Sequence, residues 1–257
     1  MRIFILIILI FCIGCSQQSI NSNKWSLDHF VVFTNQQDSL INLFETEGFT
    51  ILPDSLSAIH KGQGTKGRVL YFLNTYFEFL HVYDSSEFIK SALIEVSPDI
   101  KHRIQGNSSY PFGLGIVDLN DQQSSFESIS YHEKWMNSKD SIKIYSGSLN
   151  YNEIPHVFKL PISMKNKKFE NVESLKKIPE KYRHFFSHSN QVQKLTNISI
   201  TTPVLNQIDV GHINLMKSIA QTEFIEGNTP LVVLTFDNAR KKKIFDLRPL
   251  KNLIIKY

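Results

Sequence analysis

Two ionisable side chains stand out because each lies within a run of apolar residues. Glu78 is flanked by aromatic residues in the run Tyr76–Val82, and His29 lies in the run Leu27–Phe33. A carboxylate in such surroundings is costly to bury unless it is paired or bound to a metal, or unless its strand face is open to water. His29 fits either a hydrogen-bonded core position or a position in a cleft. If both residues face one site, imidazole and carboxylate are donor types that suit Zn, Fe, Mn or Ni.

Other chemistry has little support in the sequence. The two cysteines, Cys12 and Cys15, both lie near the N-terminus, which excludes a cysteine-ligated zinc site and a disulfide framework in the folded part. No G-x-S-x-G motif is present. A strand pattern, not a helix start, follows Gly62-Gln63-Gly64-Thr65, so this glycine pair predicts a turn and not a phosphate cradle. The net charge of +4, without a dense basic face, does not favour nucleic-acid binding.

The N-terminus has the pattern of an export signal. Arg2 precedes the unbroken apolar run Ile3–Phe11, and small residues follow it. The run is too short to cross a bilayer core of about 30 Å. Its end resembles a bacterial lipobox, with Gly14 directly before the cysteine to be modified, Cys15. An uncleaved hydrophobic anchor is the alternative interpretation.

The lipobox predicts how the mature chain is held at the membrane. Residues 1–14 would be removed as a lipoprotein signal peptide, and Cys15 would carry acyl chains. The polar stretch 15–26 would be a flexible tether. No later apolar run has spanning length. We therefore expect a domain lipid-anchored in a bacterial cell envelope.

The candidate site must be positioned by several short strands. After the Leu27–Phe33 strand, apolar residues at helical spacing end at Gly48, and three further strand patterns lead to Val82. This order recurs weakly from Gly113, with a helix expected over Ser124–Met136, and again from Leu195. Three consecutive strands after each helix favour antiparallel pairing and an α+β fold over a Rossmann sheet.

These repeats divide the chain into parts. We assign residues 27–163 to modules one and two, 164–194 to a basic linker, and 195–257 to a third βαβββ-like module. Lys165, Lys167 and Lys168 indicate a solvated loop within the linker. His60 and His81 are interpreted as surface residues.

Several segments resemble the glyoxalase-like branch of the vicinal oxygen chelate superfamily. The clearest are Leu27-Asp28-His29-Phe30-Val31-Val32, Gly62-Gln63-Gly64-Thr65 and Asn74-Thr75-Tyr76-Phe77-Glu78-Phe79-Leu80. Weaker matches are Gly113–Ile116, Pro155–Phe158, His188–Asn190 and Leu195–Ile198. The resemblance implies repeated βαβββ modules whose curved mixed sheets enclose a cleft. It also implies a divalent metal, bound through His and Glu, that chelates adjacent oxygens of a small molecule.

The resemblance assigns roles to particular positions. His29 stands where the family has its first metal ligand and Glu78 where it has another, with His156 as a candidate third ligand. Asn74 and Tyr76 would line the cleft. The alternation along the strand supports an inward Glu78, because Phe77 and Phe79 then fill the opposite face.

The partner module departs from the family pattern. Aligning Asn35 with Asn120 puts Leu114 at the place of His29, and the third repeat puts Asn197 there. The place of Glu78 falls on Ile254 or Asn252. Catalytic zinc usually has three protein ligands, so two would hold it poorly.

Two functions therefore stay open. One is metal-dependent lyase, isomerase or dioxygenase chemistry on a substrate with adjacent oxygens. The other is a non-catalytic, small-molecule-binding lipoprotein that keeps the fold without a complete metal site. The sequence does not decide between them, and it does not indicate the oligomeric state.

Overall fold

The molecule has an α+β fold built on two mixed sheets of eight and five strands. The computed structural model describes residues 25–106, 110–118, 127–149, 153–219, 221–248 and 250–257. The fold confirms the predicted class. The predicted signal peptide, Cys15 and most of the predicted tether lie outside the described residues. No described helix is long and apolar enough to span a bilayer.

The first half of the large sheet is a βαβββ module. Its elements are β1 (Trp25–Phe33), α1 (Gln37–Thr46), β2 (Ala58–His60), β3 (Thr65–Tyr71) and β4 (Tyr76–Val82). β1 pairs in parallel with β4, and β3 lies antiparallel between β4 and β2. β1 begins two residues inside the predicted tether. Trp25 is buried there, with the Lys159 amino group 5.1 Å from its ring centroid.

Three short helices follow the first module: α2 (Ser85–Ile89), α3 (Ala92–Val96) and α4 (Asp99–Gln105). The Asp84 and Ser91 side chains cap the first two by accepting backbone N–H bonds. All three bury apolar side chains against one face of the large sheet, among them Phe88, Leu93 and Ile100. We call this the cleft face of the sheet.

The second half of the large sheet repeats the strand pairing of the first. Its strands are β5 (Phe112–Asp118), β6 (Ser128–Tyr131), β7 (Ile142–Tyr145) and β8 (His156–Lys159). β5 pairs in parallel with β8, β7 lies antiparallel between β8 and β6, and β1 joins β5 antiparallel. The predicted helix over Ser124–Met136 is wrong for its described part. Pairing with β7 makes Ser128–Tyr131 a strand, and turns follow it.

The segment 164–194, predicted as a basic linker, packs against the first module, and we call it the wall segment. It contains short 3₁₀ turns and α5 (Glu180–Arg183). Phe169 and Leu175 pack with Leu73, and Phe185 packs elsewhere on the first module. Lys168 is an exposed residue, but its amino group donates to the Leu27 carbonyl at 2.6 Å. Contact with β1 therefore holds Lys168, one of the three lysines that the sequence predicts to lie in a solvated loop.

The five-stranded sheet covers the other face of the large sheet, the core face. Its elements are β9 (Leu195–Thr202), α6 (Val210–Ser218), β10 (Thr222–Glu226), β11 (Leu231–Phe236), β12 (Ile244–Asp246) and β13 (Leu253–Lys256). The strand order β10-β9-β11-β13-β12 does not repeat the module pairing, because β9 pairs in parallel with β10. Phe236 packs on Phe72 and Phe77 across the two sheets, with ring centroids 4.5 and 5.9 Å away.

His188 fastens the end of the wall segment to the first module. Its Nδ1 accepts the Thr50 backbone N–H at 3.1 Å, and its Nε2 donates to the Tyr71 carbonyl at 2.9 Å. Only a neutral ring can do both. Burial lowers the pKa of His188 to about 4.

This pKa shift predicts a loss of stability in acid. Between pH 6.5 and 4 the unfolded chain binds a proton at His188 more readily than the folded chain, so the free energy of unfolding falls as pH falls through that window. We expect His188 to account for about 2–3 kcal/mol of the decrease between pH 7 and 4.5. Urea unfolding at several pH values should show a smaller decrease in His188→Gln. The exposed His184→Gln control should keep the wild-type slope, and equal slopes in both variants would contradict the assignment.

Candidate functional site

A cavity of about 440 Å³ lies on the cleft face, between the two halves of the large sheet. This volume is within the range of about 300–1,000 Å³ that is typical of small-molecule sites. Module one contributes the hydrogen-bonding residues His29, His60 and Glu78. Module two contributes mainly apolar and aromatic residues, such as Ile142 and Phe158. The two halves of the cavity therefore differ in polarity.

The three polar residues converge at the module-one end. His29 Nε2 lies 3.9 Å from one Glu78 carboxylate oxygen, and His60 Nε2 lies 3.6 Å from the other. Glu78 is only 8% exposed. Both separations exceed hydrogen-bond length, and no group in the described residues hydrogen-bonds this carboxylate. The cavity thus has, at one end, a nearly buried carboxylate that makes no hydrogen bond to the described residues.

A β-bulge in β1 sets the orientation of His29. The ladder with β5 shifts between Leu27 and His29, which leaves Asp28 as an extra residue. Neighbouring side chains of a regular strand point to opposite faces, whereas here Asp28 Oδ1 lies 3.0 Å from His29 Nδ1. Because a carboxylate only accepts, Nδ1 is the donor in this hydrogen bond, and in the neutral form of the ring Nε2 is then an acceptor. Nε2 lies 3.9 Å from the Glu78 carboxylate.

Two glycines make room for the functional side chains. A Cβ at Gly67 would stand 2.0 Å from Glu78 Oε1, and a Cβ at Gly115 would stand 2.6 Å from the His29 ring. Both distances are far below van der Waals contact. Any larger residue on these neighbouring strands would displace the carboxylate or the imidazole. The glycines are therefore part of the site.

His60 belongs to the site, although the sequence suggested a surface position. Its Nδ1 lies 3.0 Å from the Thr65 hydroxyl, and its ring packs 4.8 Å from that of Trp135. Trp135 is itself held by a hydrogen bond to Gln63. Burial lowers the pKa of His60, against the opposing effect of the Glu78 charge, so the ring is neutral at pH 7. Ala58 and His60 alternate with Ile59 toward the cavity, but β2 is too short for this pattern to be recognised in the sequence.

Tyr76 lines the cavity and Asn74 does not. The Tyr76 ring stacks on His29 with centroids 4.5 Å apart and 14° between the planes. Burial, reinforced by the Glu78 charge, raises the pKa of Tyr76 well above its usual value, so its hydroxyl stays protonated. The Asn74 side chain instead bonds both the N–H and the carbonyl of Leu195. The predicted role of Asn74 in the cleft is therefore corrected to joining the two sheets.

His156 lines a different part of the cavity from Glu78. Its nearest charged partner is Asp99 of α4, at 3.9 Å from Nδ1. Burial lowers its pKa to about 4, so the ring is neutral at pH 7. Among the residues that the structure describes, the histidines within 4.0 Å of the Glu78 carboxylate are His29 and His60. The histidine that accompanies His29 beside Glu78 is therefore His60, and not His156 as the resemblance suggested.

Strand register identifies the module-two counterparts of the site. The first pair of the β1–β4 ladder is His29–Tyr76, and the first pair of the β5–β8 ladder is Gly113–His156. Gly113 therefore occupies the position of His29, and Phe158 that of Glu78. Leu114, which the sequence alignment put at that position, is fully buried in the core between the sheets. Module two supplies no metal donor at either equivalent position.

The polar residues fit a metal in type, but their number is too small. Tetrahedral metal–ligand bonds of about 2.0–2.2 Å place neighbouring donor atoms roughly 3.3–3.6 Å apart. The His60–Glu78 separation of 3.6 Å lies at the upper end of this range, and the His29–Glu78 separation of 3.9 Å is slightly wider. Within the described parts of the chain, no group of three or more His, Cys, Asp or Glu side chains has the geometry to hold a metal ion.

Comparison with known proteins informs the architecture. No protein-family model and no curated protein matches this sequence. The structure is similar to the crystal structure of a hypothetical protein from Staphylococcus aureus, with a TM-score of 0.54 and 14% identity. The match covers 90% of this chain and 98% of that chain. The likeness shows the fold alone.

The lack of space for a side chain at Gly67 leads to a structural prediction. In Gly67→Ala the new methyl group should push the Glu78 carboxylate by more than about 1 Å, because the present spacing is far inside contact distance. The free energy of unfolding should change by no more than about 1 kcal/mol, since Gly67 does not have a left-handed backbone. A crystal structure and urea unfolding check both effects. Gly113→Ala, whose methyl group would meet Phe33 at 3.3 Å, is the control that leaves Glu78 in place. An unmoved carboxylate in Gly67→Ala would contradict the geometry.

Proposed function

We propose that this protein binds a small organic molecule, without catalysing its conversion, in the cavity on the cleft face. The observation that carries the proposal is the division of that cavity into a polar end and an apolar end. Such a cavity matches a ligand with one hydrogen-bonding group and an apolar body. The apolar body would lie against module two, and the polar group would reach His29, His60 and Glu78.

The rigidity of the polar end supports ligand binding. His29 is held by Asp28 and by stacking on Tyr76, and His60 is held by Thr65 and Trp135. Side chains fixed in this way lose little conformational freedom when a ligand arrives, which favours affinity.

The resemblance to the glyoxalase-like branch supports the same location. The βαβββ pairing of module one and the matching pairing of module two are what that resemblance predicts. We propose that the chain is a member of this branch whose second module has lost its polar site residues. Gly113 and Phe158 at the equivalent positions support that loss.

A second candidate is a metal-dependent enzyme acting on a substrate with adjacent oxygens. The convergence of two imidazole Nε2 atoms on one carboxylate favours it, whereas the described residues contain no group of three or more His, Cys, Asp or Glu side chains that could hold a metal ion. Elemental analysis separates the two functions. Near-stoichiometric transition metal that is lost in a His29→Ala, Glu78→Ala double variant would favour the enzyme over the binding protein.

Adding bulk at Ala58 should weaken binding. Ala58 faces the cavity from β2, whereas the neighbouring Ile59 does not line it and is 48% exposed. We expect Ala58→Trp to weaken binding of compounds found in a thermal-shift screen by about tenfold or more, because its ring would occupy ligand space. Ile59→Trp adds the same bulk to the same short strand and should bind like the wild type. Equal affinities in the two variants would rule out this cavity as the binding site.

We also propose that the chain is a lipoprotein anchored to a membrane of the bacterial cell envelope through Cys15. The apolar run before Gly14 and the polar stretch after Cys15 support this.

Metabolic labelling with an alkyne fatty acid tests the anchor. The wild type should incorporate the label and Cys15→Ser should lose it completely, since the thiol is the acceptor. Cys12→Ser is the matched control and should stay labelled, because Cys12 leaves with the signal peptide. Incorporation of the label into Cys15→Ser would contradict the proposal.

A further inference from the structure

We propose that the ligand of the cavity is an organic cation, a primary ammonium group carried on an apolar body. This inference rests on the proposed binding function and names the chemical class of the ligand. It is carried by the hydrogen-bonding and electrostatic character of the polar end.

The polar end presents acceptors that lack donors. Glu78 is nearly buried, and its carboxylate makes no hydrogen bond within the described residues. His29 Nδ1 donates to Asp28, so in the neutral form of the ring Nε2 is an acceptor, 3.9 Å from one Glu78 oxygen. His60 Nε2 lies 3.6 Å from the other oxygen, beyond hydrogen-bond length. A ligand group with several N–H donors satisfies the Glu78 carboxylate and His29 Nε2 at once.

At the same end, no described lysine or arginine is paired with the Glu78 carboxylate. Within the part of the chain that the structure describes, no Lys or Arg lies within 4.0 Å of the Glu78 carboxylate. Lys165 is the cationic residue among the described lining residues, and it is exposed to solvent, which screens its charge. Burial and then the Glu78 charge raise the pKa of Tyr71 and of Tyr76. These groups thus lie in the negative field that an ammonium ion would neutralise.

Aromatic rings surround the position of the ammonium group. Tyr71, Tyr76, Tyr131 and Trp135 all line the cavity. Tyr76 stacks on His29 and Trp135 packs on His60, so both rings lie next to the acceptors. The faces of aromatic rings attract cations, and more strongly where water is excluded.

The rest of the cavity selects an organic cation over a bare metal ion. The module-two side of the cavity is mainly apolar and includes Ile142, Phe158 and Leu160, although His156 also lines it. A metal ion would leave this surface in contact with water, whereas an alkyl or aryl body would bury it. A carboxylate or phosphate ligand would meet Glu78 with like charge in a site of low dielectric constant.

Three probes with matched bodies test the inference on the full chain in detergent micelles. Isothermal titration would compare 2-phenylethylammonium, the neutral 2-phenylethanol and the anionic 3-phenylpropanoate, with empty micelles subtracted. We expect the ammonium to bind about tenfold or more tighter than the alcohol, because its hydrogen bonds are charge-assisted. The carboxylate should bind more weakly than the alcohol.

Charge removal at Glu78 should erase the preference. Glu78→Gln keeps the shape of the side chain, and its ammonium-to-alcohol affinity ratio should fall toward one. Glu45→Gln, on the exposed side of α1, is the matched control and should keep the wild-type ratio. If Glu78→Gln does not fold, Gly67→Ala displaces the same carboxylate and should lower the ratio in the same way.

The remaining outcomes overturn the inference in distinguishable ways. Equal binding of ammonium and alcohol, or a ratio unchanged in Glu78→Gln, would refute the cation while leaving the small-molecule cavity intact. Stoichiometric binding of Zn²⁺ or Mn²⁺ that displaces 2-phenylethylammonium and vanishes in Glu78→Gln would reassign the acceptors to a metal. Binding of none of the three probes would also refute the cation. The comparison of Ala58→Trp with Ile59→Trp tests the proposed function separately.

Discussion

The buried carboxylate of Asp28 is the interaction on which the arrangement of the cavity depends. It is fully inaccessible to solvent, and such a charge costs several kcal/mol to bury unless it is compensated. Its two oxygens accept the His29 Nδ1–H and the backbone N–H of Asn166, at 3.0 and 2.7 Å. Its backbone carbonyl accepts the Thr75 hydroxyl. One bulged residue therefore links His29, the wall segment and the β3–β4 turn through hydrogen bonds.

The two modules share the same strand pairing but line the cavity with side chains of different polarity. Equivalent ladder positions carry His29 and Glu78 in module one, and Gly113 and Phe158 in module two. Concentrating the polar groups on one side leaves the other side mainly apolar, and apolar surroundings of low dielectric constant strengthen electrostatic contacts at the polar end. The fold alone does not determine this division, because function depends on the side chains that a fold carries.

The sequence could predict the parts of the site whose environment is local. Alternation along β4 indicates that Glu78 points away from its aromatic neighbours, because the pattern extends over a whole strand. The position of His60 in the site could not be predicted, because β2 has only three residues, too few to establish an alternating pattern. Asn74 and Lys168 were misassigned because their partners lie 121 and 141 residues away along the chain. The helical spacing around Ser128–Tyr131 was overridden by pairing with β7, a tertiary contact that no local window contains.

The wall segment also connects the large sheet to the C-terminal sheet, so it affects where the chain could be cut. Residues 164–194 close one side of the cavity and then continue directly into β9, whose sheet covers the core face. A chain cut after β8 would keep the complete eight-strand order, yet it would lose the Asn166 bond to Asp28 and leave Phe72 and Phe77 without Phe236. The paired modules thus share their core with the C-terminal sheet. Exchange of the large sheet alone for that of another chain would remove these contacts, so the cavity and the C-terminal sheet form one structural block.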